Sequence, residues 1–300
     1  MKILVTGGAG FIGSAVIAHL QKFNHEIFVI DNLSFGNRKF IDVDDKHFFL
    51  CDILDELTID KIIGQIMPDY IIHLAAVHFI PYCNQHPYES SNINIRGTIH
   101  ILKAAKKYKP KKVFFASTAA VYPIYDHAVS ETHITGPMDI YGLSKLTGEH
   151  LCNEFHLETK IPVVVCRFFN AFGPNETNPH LIPEIQNQVL GGKRKIQLGN
   201  LTPKRDFIHT FDMANAVDVL LQNVNEGIHT FNLGRGIEYA VTEIVDAFSV
   251  AIGEKIEIEV DQARVRKVER QHLLADVTKL KSIGWTPKIG IEDGIKTRVK

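Results

Sequence analysis

The chain has only four cysteines, four methionines and one tryptophan in 300 residues. Cys51, Cys83, Cys152 and Cys166 are scattered and form no C-x-x-C pair, so a disulfide scaffold is excluded. Cys51, Cys152 and Cys166 fall in apolar or amphipathic segments and read as reduced, buried thiols. Neither charge is in excess. The 33 Lys and Arg against 34 Asp and Glu give a net charge of −1, which argues against a nucleic-acid partner. No apolar run approaches the roughly 18 residues of a membrane span. The chain starts on the strand-like Lys2-Ile3-Leu4-Val5-Thr6 without the features of a signal peptide. The expectation is a cytoplasmic protein with no membrane partner. Internal repeats and low-complexity tracts are also missing.

What is present is an alternation. Lys2 to Thr6, Glu26 to Asp31, Tyr70 to Ala75, Lys112 to Ser117 and Pro162 to Phe168 are continuous apolar runs, with a shorter one at Phe48 to Cys51. Such runs mark strands buried on both faces of a parallel sheet. Between them lie amphipathic, helix-like segments at Phe11 to Lys22, Thr58 to Ile66, Tyr88 to Lys107 and Ile140 to His156. The fold class is therefore α/β, a doubly wound parallel sheet of the Rossmann kind with a smaller C-terminal α/β substrate lobe. The spacing places a dinucleotide-binding domain over 1–168 and a substrate lobe over 169–300. The segment at about 211–233, a helix and then a strand, is expected to return to the first sheet.

Thr6-Gly7-Gly8-Ala9-Gly10-Phe11-Ile12-Gly13 follows the first strand and opens the first helix. Gly8, Gly10 and Gly13 satisfy G-x-G-x-x-G, and Gly7, Gly10 and Gly13 the wider G-x-x-G-x-x-G. Glycines here allow a tight turn, backbone approach to a pyrophosphate and close helix–strand packing. The diphosphate then meets the positive helix N-terminus. The second strand ends at Asp31, where a carboxylate can accept both ribose hydroxyls of NAD and repel the 2′-phosphate of NADP. Arg38 is the nearby residue that could reach such a phosphate.

Tyr141 and Lys145 lie four apart on one helix face. An ammonium beside a phenol favours the phenolate, as would an oxidised nicotinamide. The preceding strand ends at Ser117-Thr118, where open sheets bind ligands. Either hydroxyl could face a substrate oxygen or simply cap a turn. Asn94 sits inside the expected helix Tyr88 to Lys107, where asparagine is unfavourable. That suggests a polar role near the site, or a local kink. The fifteen histidines, including His73, His78, His127 and His133, show no metal-ligand spacing, and no catalytic metal is expected.

Together, Thr6 to Gly13, Asp31, Asp52-Ile53, His73-Leu74-Ala75-Ala76, Asn94, Ser117-Thr118 and Tyr141-x-x-x-Lys145 resemble the extended short-chain dehydrogenase/reductases. Within them the likeness is to the epimerases and dehydratases of nucleotide sugars. It runs over about residues 3 to 287. The resemblance implies NAD as cofactor, contacted by Gly7, Gly10, Phe11, Ile12, Gly13, Asp31, Asn32, Asp52, Ile53, Ala75, Ala76, Ser117, Tyr141 and Lys145. It implies Thr118, Tyr141, Lys145 and Asn94 as the catalytic group. A nucleotide-diphosphate sugar would meet Thr118, Asn170 in Arg167-Phe168-Phe169-Asn170, the Leu181 amide, Arg205 and Arg266, the arginines gripping the diphosphate. The segment Arg266-Lys267-Val268-Glu269 departs from the family's Arg-Pro-Gly-Asp or Arg-Pro-Gly-Glu.

The resemblance further implies epimerisation at C4 through a 4-keto sugar. A nucleotide-sugar 4,6-dehydratase, a 4-keto-sugar reductase and a non-catalytic dinucleotide sensor are the alternatives. In the dehydratases an Asp and a Glu follow the catalytic Thr; here Ala119 and Ala120 stand there. A carboxylate from elsewhere, such as Glu131 on the next loop, could replace them. Leu273 occupies the position whose bulk limits the C2 substituent. The helices at Tyr88 to Lys107 and Ile140 to His156 resemble the pair that forms a homodimer interface.

Overall fold

The structure, a computed structural model, describes residues 1–265 and 270–299. In chain order the strands are β1 (Lys2–Thr6), β2 (Glu26–Asp31), β3 (Phe48–Leu50), β4 (Tyr70–His73), β5 (Lys112–Thr118), β6 (Val163–Phe168), β7 (Asn170–Phe172), β8 (Lys195–Leu198), β9 (Lys204–His209), β10 (Ile228–Leu233), β11 (Glu238–Ala240) and β12 (Glu257–Val260). The helices are α1 (Phe11–Leu20), α2 (Glu56–Ile66), α3 (Ile80–Gln85), α4 (Pro87–Ser91), α5 (Gly97–Tyr108), α6 (Ile140–Thr159), α7 (Leu181–Leu190), α8 (Thr210–Asn223), α9 (Val241–Ile252), α10 (Thr278–Ser282) and α11 (Ile291–Lys296).

Seven parallel strands form one sheet in the order β10-β6-β5-β4-β1-β2-β3. Every residue of β5 and β6 is buried, as continuous apolar runs require. One face is covered by α1 and α8, whose Val16, Ile17, Leu20, Met213, Val217 and Leu220 share a core with Trp285. The other is covered by α2, α5 and α6 through Ile59, Ile63, Ile101, Ala105, Cys152 and Phe155. The four cysteines are free and buried. The strand order reverses between β1 and β4, so a crevice opens at their carboxyl ends.

The second lobe has its own core of Ile182, Ile185, Val189, Phe207, Ile244 and Phe248. It combines a three-stranded sheet, β11-β9-β7, with the pair β12-β8. Its chain is interleaved with the first lobe, because α8 packs on α1 and β10 pairs with β6. Two sequence expectations shift. The fourth strand stops at His73: the Leu74 amide makes a last bond to the Thr6 carbonyl at 3.1 Å, and the Ala75 amide turns to the Thr6 hydroxyl at 3.3 Å as the chain leaves the sheet. The segment Tyr88 to Lys107 is not one regular helix. A π-helical turn, Asn92–Arg96, separates α4 from α5. Among the described residues, no helix is long and apolar enough to cross a membrane.

Candidate active site

A cleft of about 1270 Å³ runs from the loop after β1 to the start of α7. Gly7 adopts φ +70°, and a Cβ there would lie 2.7 Å from the Ala75 amide nitrogen; one on Gly13 would lie 2.2 Å from the Gly7 carbonyl oxygen. Only glycine permits this turn. Gly10, the cap of α1, makes no side-chain capping bond, and the first turn has no acidic residue. That leaves amides and a positive helix end suited to a diphosphate. Asp31 ends β2 with Oδ2 accepting from the Ala9 amide at 2.9 Å and Oδ1 from the Leu33 amide at 2.8 Å. Burial pushes its carboxyl above the usual value, against those two hydrogen bonds. Asn32 Nδ2 donates to Asp52 Oδ2 at 2.8 Å. Phe11, Ile12, Ile53, Ala75 and Ala76 complete this end of the wall. Arg38 is engaged elsewhere: it donates to the Ile41 and Val43 carbonyls and to Asp45, and lies over the Phe48 ring. The glycine cradle, uncapped helix and Asp31 fit a dinucleotide with free ribose hydroxyls.

Midway along the cleft, α6 begins at the Asp139 cap, whose Oδ1 accepts from the Gly142 amide at 2.7 Å. This start sets Tyr141 beside Thr118. The Ala120 amide donates to Thr118 Oγ1 at 3.1 Å, which leaves the threonine hydroxyl proton free to turn toward the cleft, on whose wall Tyr141 also lies. Lys145 is 3% exposed, with Nζ 4.9 Å from the Phe115 ring centroid. Burial draws its ammonium down to about 8. Burial also pushes the Tyr141 phenol above its usual value, and the Thr118 hydrogen bond only partly opposes this. The expected lowering by Lys145 is thus not supplied by the chain alone, because desolvation outweighs it. Ser117 is also on the wall, with its hydroxyl donating to Glu149; Arg167 holds that carboxylate at 2.9 and 2.7 Å.

Asn94 does not line the cleft. It is 3% exposed in the π turn. Its Oδ1 accepts from the Val77 amide at 2.8 Å, and Nδ2 donates to the Val77 carbonyl and Ser144 Oγ, both at 2.9 Å. Ser144 in turn donates to the Tyr141 carbonyl at 2.8 Å. With both amide hydrogens engaged, Asn94 ties the strand-β4 loop to the helix carrying Tyr141. It has the geometry of a positioning residue rather than a catalytic one. A second chain ends on its backbone. Thr98 Oγ1 donates to the Asn94 carbonyl at 2.6 Å and accepts from His73 Nε2 at 3.0 Å, while His73 Nδ1 accepts from Thr6 at 2.7 Å. Burial pushes His73 down to about 3 and keeps it neutral.

At the far end, Asn170, Leu181, Arg205 and Leu273 lie on the wall. Arg205 Nη1 donates to the Lys204 and Arg270 carbonyls, both at 2.8 Å. Arg266 lies outside the described residues. Arg270, His78, His180 and Glu176 also line the cleft; the sequence offered His78 only as a histidine without metal-ligand spacing and gave the other three no role. Arg270, four residues beyond Arg266, could have been found as a further cation in that basic stretch. The histidines had no spacing signal. Ala119 and Ala120 lie on the wall, whereas Glu131 does not. Its Oε1 accepts from the Asn232 amide at 2.8 Å. Among the described residues, no group of three or more His, Cys, Asp or Glu is arranged to hold a metal ion.

Residues 3–234 match the NAD dependent epimerase/dehydratase family. The UDP-glucose 4-epimerase of Bacillus subtilis is 31% identical over 321 residues, covering 98% of this chain and 94% of that protein. The structure of the Thermus thermophilus UDP-glucose 4-epimerase in complex with NAD superposes with a TM-score of 0.90 at 28% identity, covering 100% of this chain and 98% of that one. That of the Thermotoga maritima UDP-glucose 4-epimerase with UDP-glucose gives 0.91 at 29% identity, covering 100% and 97%.

Proposed function

The chain belongs to the NAD dependent epimerase/dehydratase family, and from that premise we propose that it inverts C4 of a nucleotide-diphosphate sugar, a UDP-hexose first among them. The observation that carries the reading is one continuous cleft, with the glycine cradle at one end, Arg205 and the α7 start at the other, and the Tyr141–Thr118 pair between.

When bound, oxidised NAD supplies the reversible two-electron oxidation of the C4 carbon and a positive charge that favours the Tyr141 phenolate. Tyr141 takes the proton of the C4 hydroxyl and later returns it. Thr118 steadies the phenolate by donating its hydroxyl proton as a hydrogen bond. Lys145 adds positive charge to the same wall. Asp31 selects NAD over NADP, and the engagement of Arg38 removes the cation that would favour a 2′-phosphate. Dehydration needs a base for the C5 proton and an acid for the C6 hydroxyl. Ala119 and Ala120 transfer no proton, and Glu131 is held on the Asn232 amide. General acid–base catalysis contributes about 10²- to 10⁴-fold per group, so elimination falls far behind epimerisation. The exposed Tyr88, Leu143 and Leu157 on α4 and α6 support a homodimer through these helices.

The test is a screen of the purified chain against UDP-, dTDP-, GDP- and CDP-sugars, with products identified by NMR. Interconversion of UDP-glucose and UDP-galactose is the expected result. Accumulation of a 4-keto-6-deoxy sugar at a comparable rate would overturn the reading in favour of a dehydratase.

A further inference from the structure

His73 ends β4 and His78 lies just beyond it, and the fold treats the two rings differently. Both ring nitrogens of His73 are held inside the protein, Nδ1 by Thr6 and Nε2 by Thr98. That is the pattern of a structural histidine. His78 lines the cleft, and its Nε2 accepts from Asn178 Nδ2 at 3.0 Å. Its Nδ1 has no hydrogen-bond partner among the described residues. Asn178 is buried and belongs to a strap, residues 174–180, that is tied to the first lobe. Asn175 Nδ2 donates to Ser14 Oγ at 3.2 Å and Thr177 Oγ1 to the Phe35 carbonyl at 3.3 Å. The Asn178 amide nitrogen can only donate, so His78 Nε2 can only accept. Burial pushes the His78 ring down to about 4, and the charges of His180 and Lys145 add to this. The ring is therefore neutral near pH 7, and a neutral imidazole whose Nε2 accepts carries its one proton on Nδ1. Nδ1–H is a donor on the cleft wall with no partner in the protein.

We propose that His78 is a specificity-determining residue that donates Nδ1–H to a hydroxyl of the substrate's sugar, with Asn178 as the positioning residue that fixes its tautomer. This rests on the nucleotide-sugar reading above. In that reading C4 faces Tyr141 and the diphosphate lies towards Arg205 and the start of α7, so the sugar spans the stretch between. His78 stands in that stretch. Lys145 is close enough for its charge to act on the ring. On the other side the His180 ring, directly before α7, is 6.0 Å away between centroids. The C4 hydroxyl belongs to Tyr141, so His78 meets one of the others. An uncharged donor suits a hydroxyl, whereas a phosphate is gripped best by a cation. A donor left without its acceptor is costly, so the site disfavours an analogue that lacks the bonded hydroxyl. Through Asn178 the strap takes part in sugar recognition.

Two measurements on the full chain test this. The first needs no substrate. Nitrogen NMR of isotope-labelled protein should show His78 protonated on Nδ1 and bare on Nε2, and Asn178→Leu should lose that single-tautomer signature. A proton on Nε2 in wild type overturns the inference, and an unchanged signature in Asn178→Leu overturns the positioning role. The second is calorimetry with UDP and UDP-glucose in the Tyr141→Phe background, where the sugar is not turned over. His78→Phe keeps a ring and removes the donor. It should weaken UDP-glucose by about 2- to 10-fold and leave UDP unchanged. His78→Gln, whose amide donates, should recover part of the loss, and His78→Leu replaces the phenylalanine variant if that one fails to fold. Among UDP-deoxyglucoses, the one lacking the bonded hydroxyl should bind equally well whether or not His78 is replaced. Equal weakening of UDP and UDP-glucose, or weakening of neither, overturns the inference alone. No binding of any nucleotide sugar by wild type overturns the functional reading and the ligand named here, while the tautomer is still read by NMR.

Discussion

The wall assigned to the cofactor is mostly backbone and small side chains, whereas the wall assigned to the substrate is mostly long polar side chains. Gly7, Gly10, Gly13, Ala75 and Ala76 hold the first by the shape of a turn and the ends of strands. Asn170, Arg205, Arg270 and His180 form the second, and two of them are held by partners far away in sequence: Arg205 on the Arg270 carbonyl, Arg270 on the Tyr122 carbonyl. A wall made of backbone tolerates little variation, because only glycine fits it. A wall made of side chains can be retuned by single substitutions while the fold stays as it is.

The largest effect is expected between the two walls. Tyr141→Phe should lower kcat by about 10²- to 10⁴-fold while leaving NAD content and melting temperature unchanged; more than a tenth of the wild-type rate in a coupled assay would remove Tyr141 from the proton-transfer role. Next comes the buried layer behind the backbone wall. Asn94→Ala strands the Val77 amide and leaves its carbonyl only the Cys83 thiol, so it should cost about 1–3 kcal/mol in urea unfolding; an undisturbed midpoint would show that the π turn stands without its side chain.

The buried layer behind that wall also has a pH signature. His73 has a folded value of about 3, below the 6.5 of a free imidazole. The unfolded chain therefore binds the extra proton between those values, and this group costs stability as pH falls through that window. His73→Gln should flatten the stability–pH slope there by up to about 1.4 kcal/mol per pH unit; an unaltered slope would show that other groups set acid sensitivity.

Asp31→Ala should narrow the preference for NAD over NADP, read as the ratio of Kd values by calorimetry, because the repelling carboxylate is gone. No change in that ratio would move cofactor choice to another residue. The smallest effect belongs to the substrate wall. Leu273→Ser should raise the rate on a C2 N-acetyl sugar relative to its hydroxyl counterpart by about 5- to 10-fold, the low end of the roughly 1–3 kcal/mol that one side-chain volume in a pocket is worth. Equal ratios in both enzymes would show that Leu273 does not bound the C2 subsite.

The α/β class, the strand runs, the glycine loop and Asp31 were legible in the sequence because each depends on neighbours close along the chain. Apolar runs must be buried on both faces, a tight turn before a helix demands glycine, and residues four apart on a helix share a face. Those constraints operate before any tertiary contact forms. That Asn94 interrupts the helix or takes a polar role was legible; what it binds was not. Its partners, Val77 and Ser144, are 17 and 50 residues away, and a helix pattern does not reveal a π turn held by such bonds. Nor was the state of Tyr141, since desolvation depends on what packs around the ring. His180, Glu176 and Arg298 met only when residues 174–180, α7 and the C-terminal segment packed together. Local chemistry along the chain therefore determined the cofactor end of the cleft, while burial and long-range partners decided which side chains face the substrate and in what protonation state.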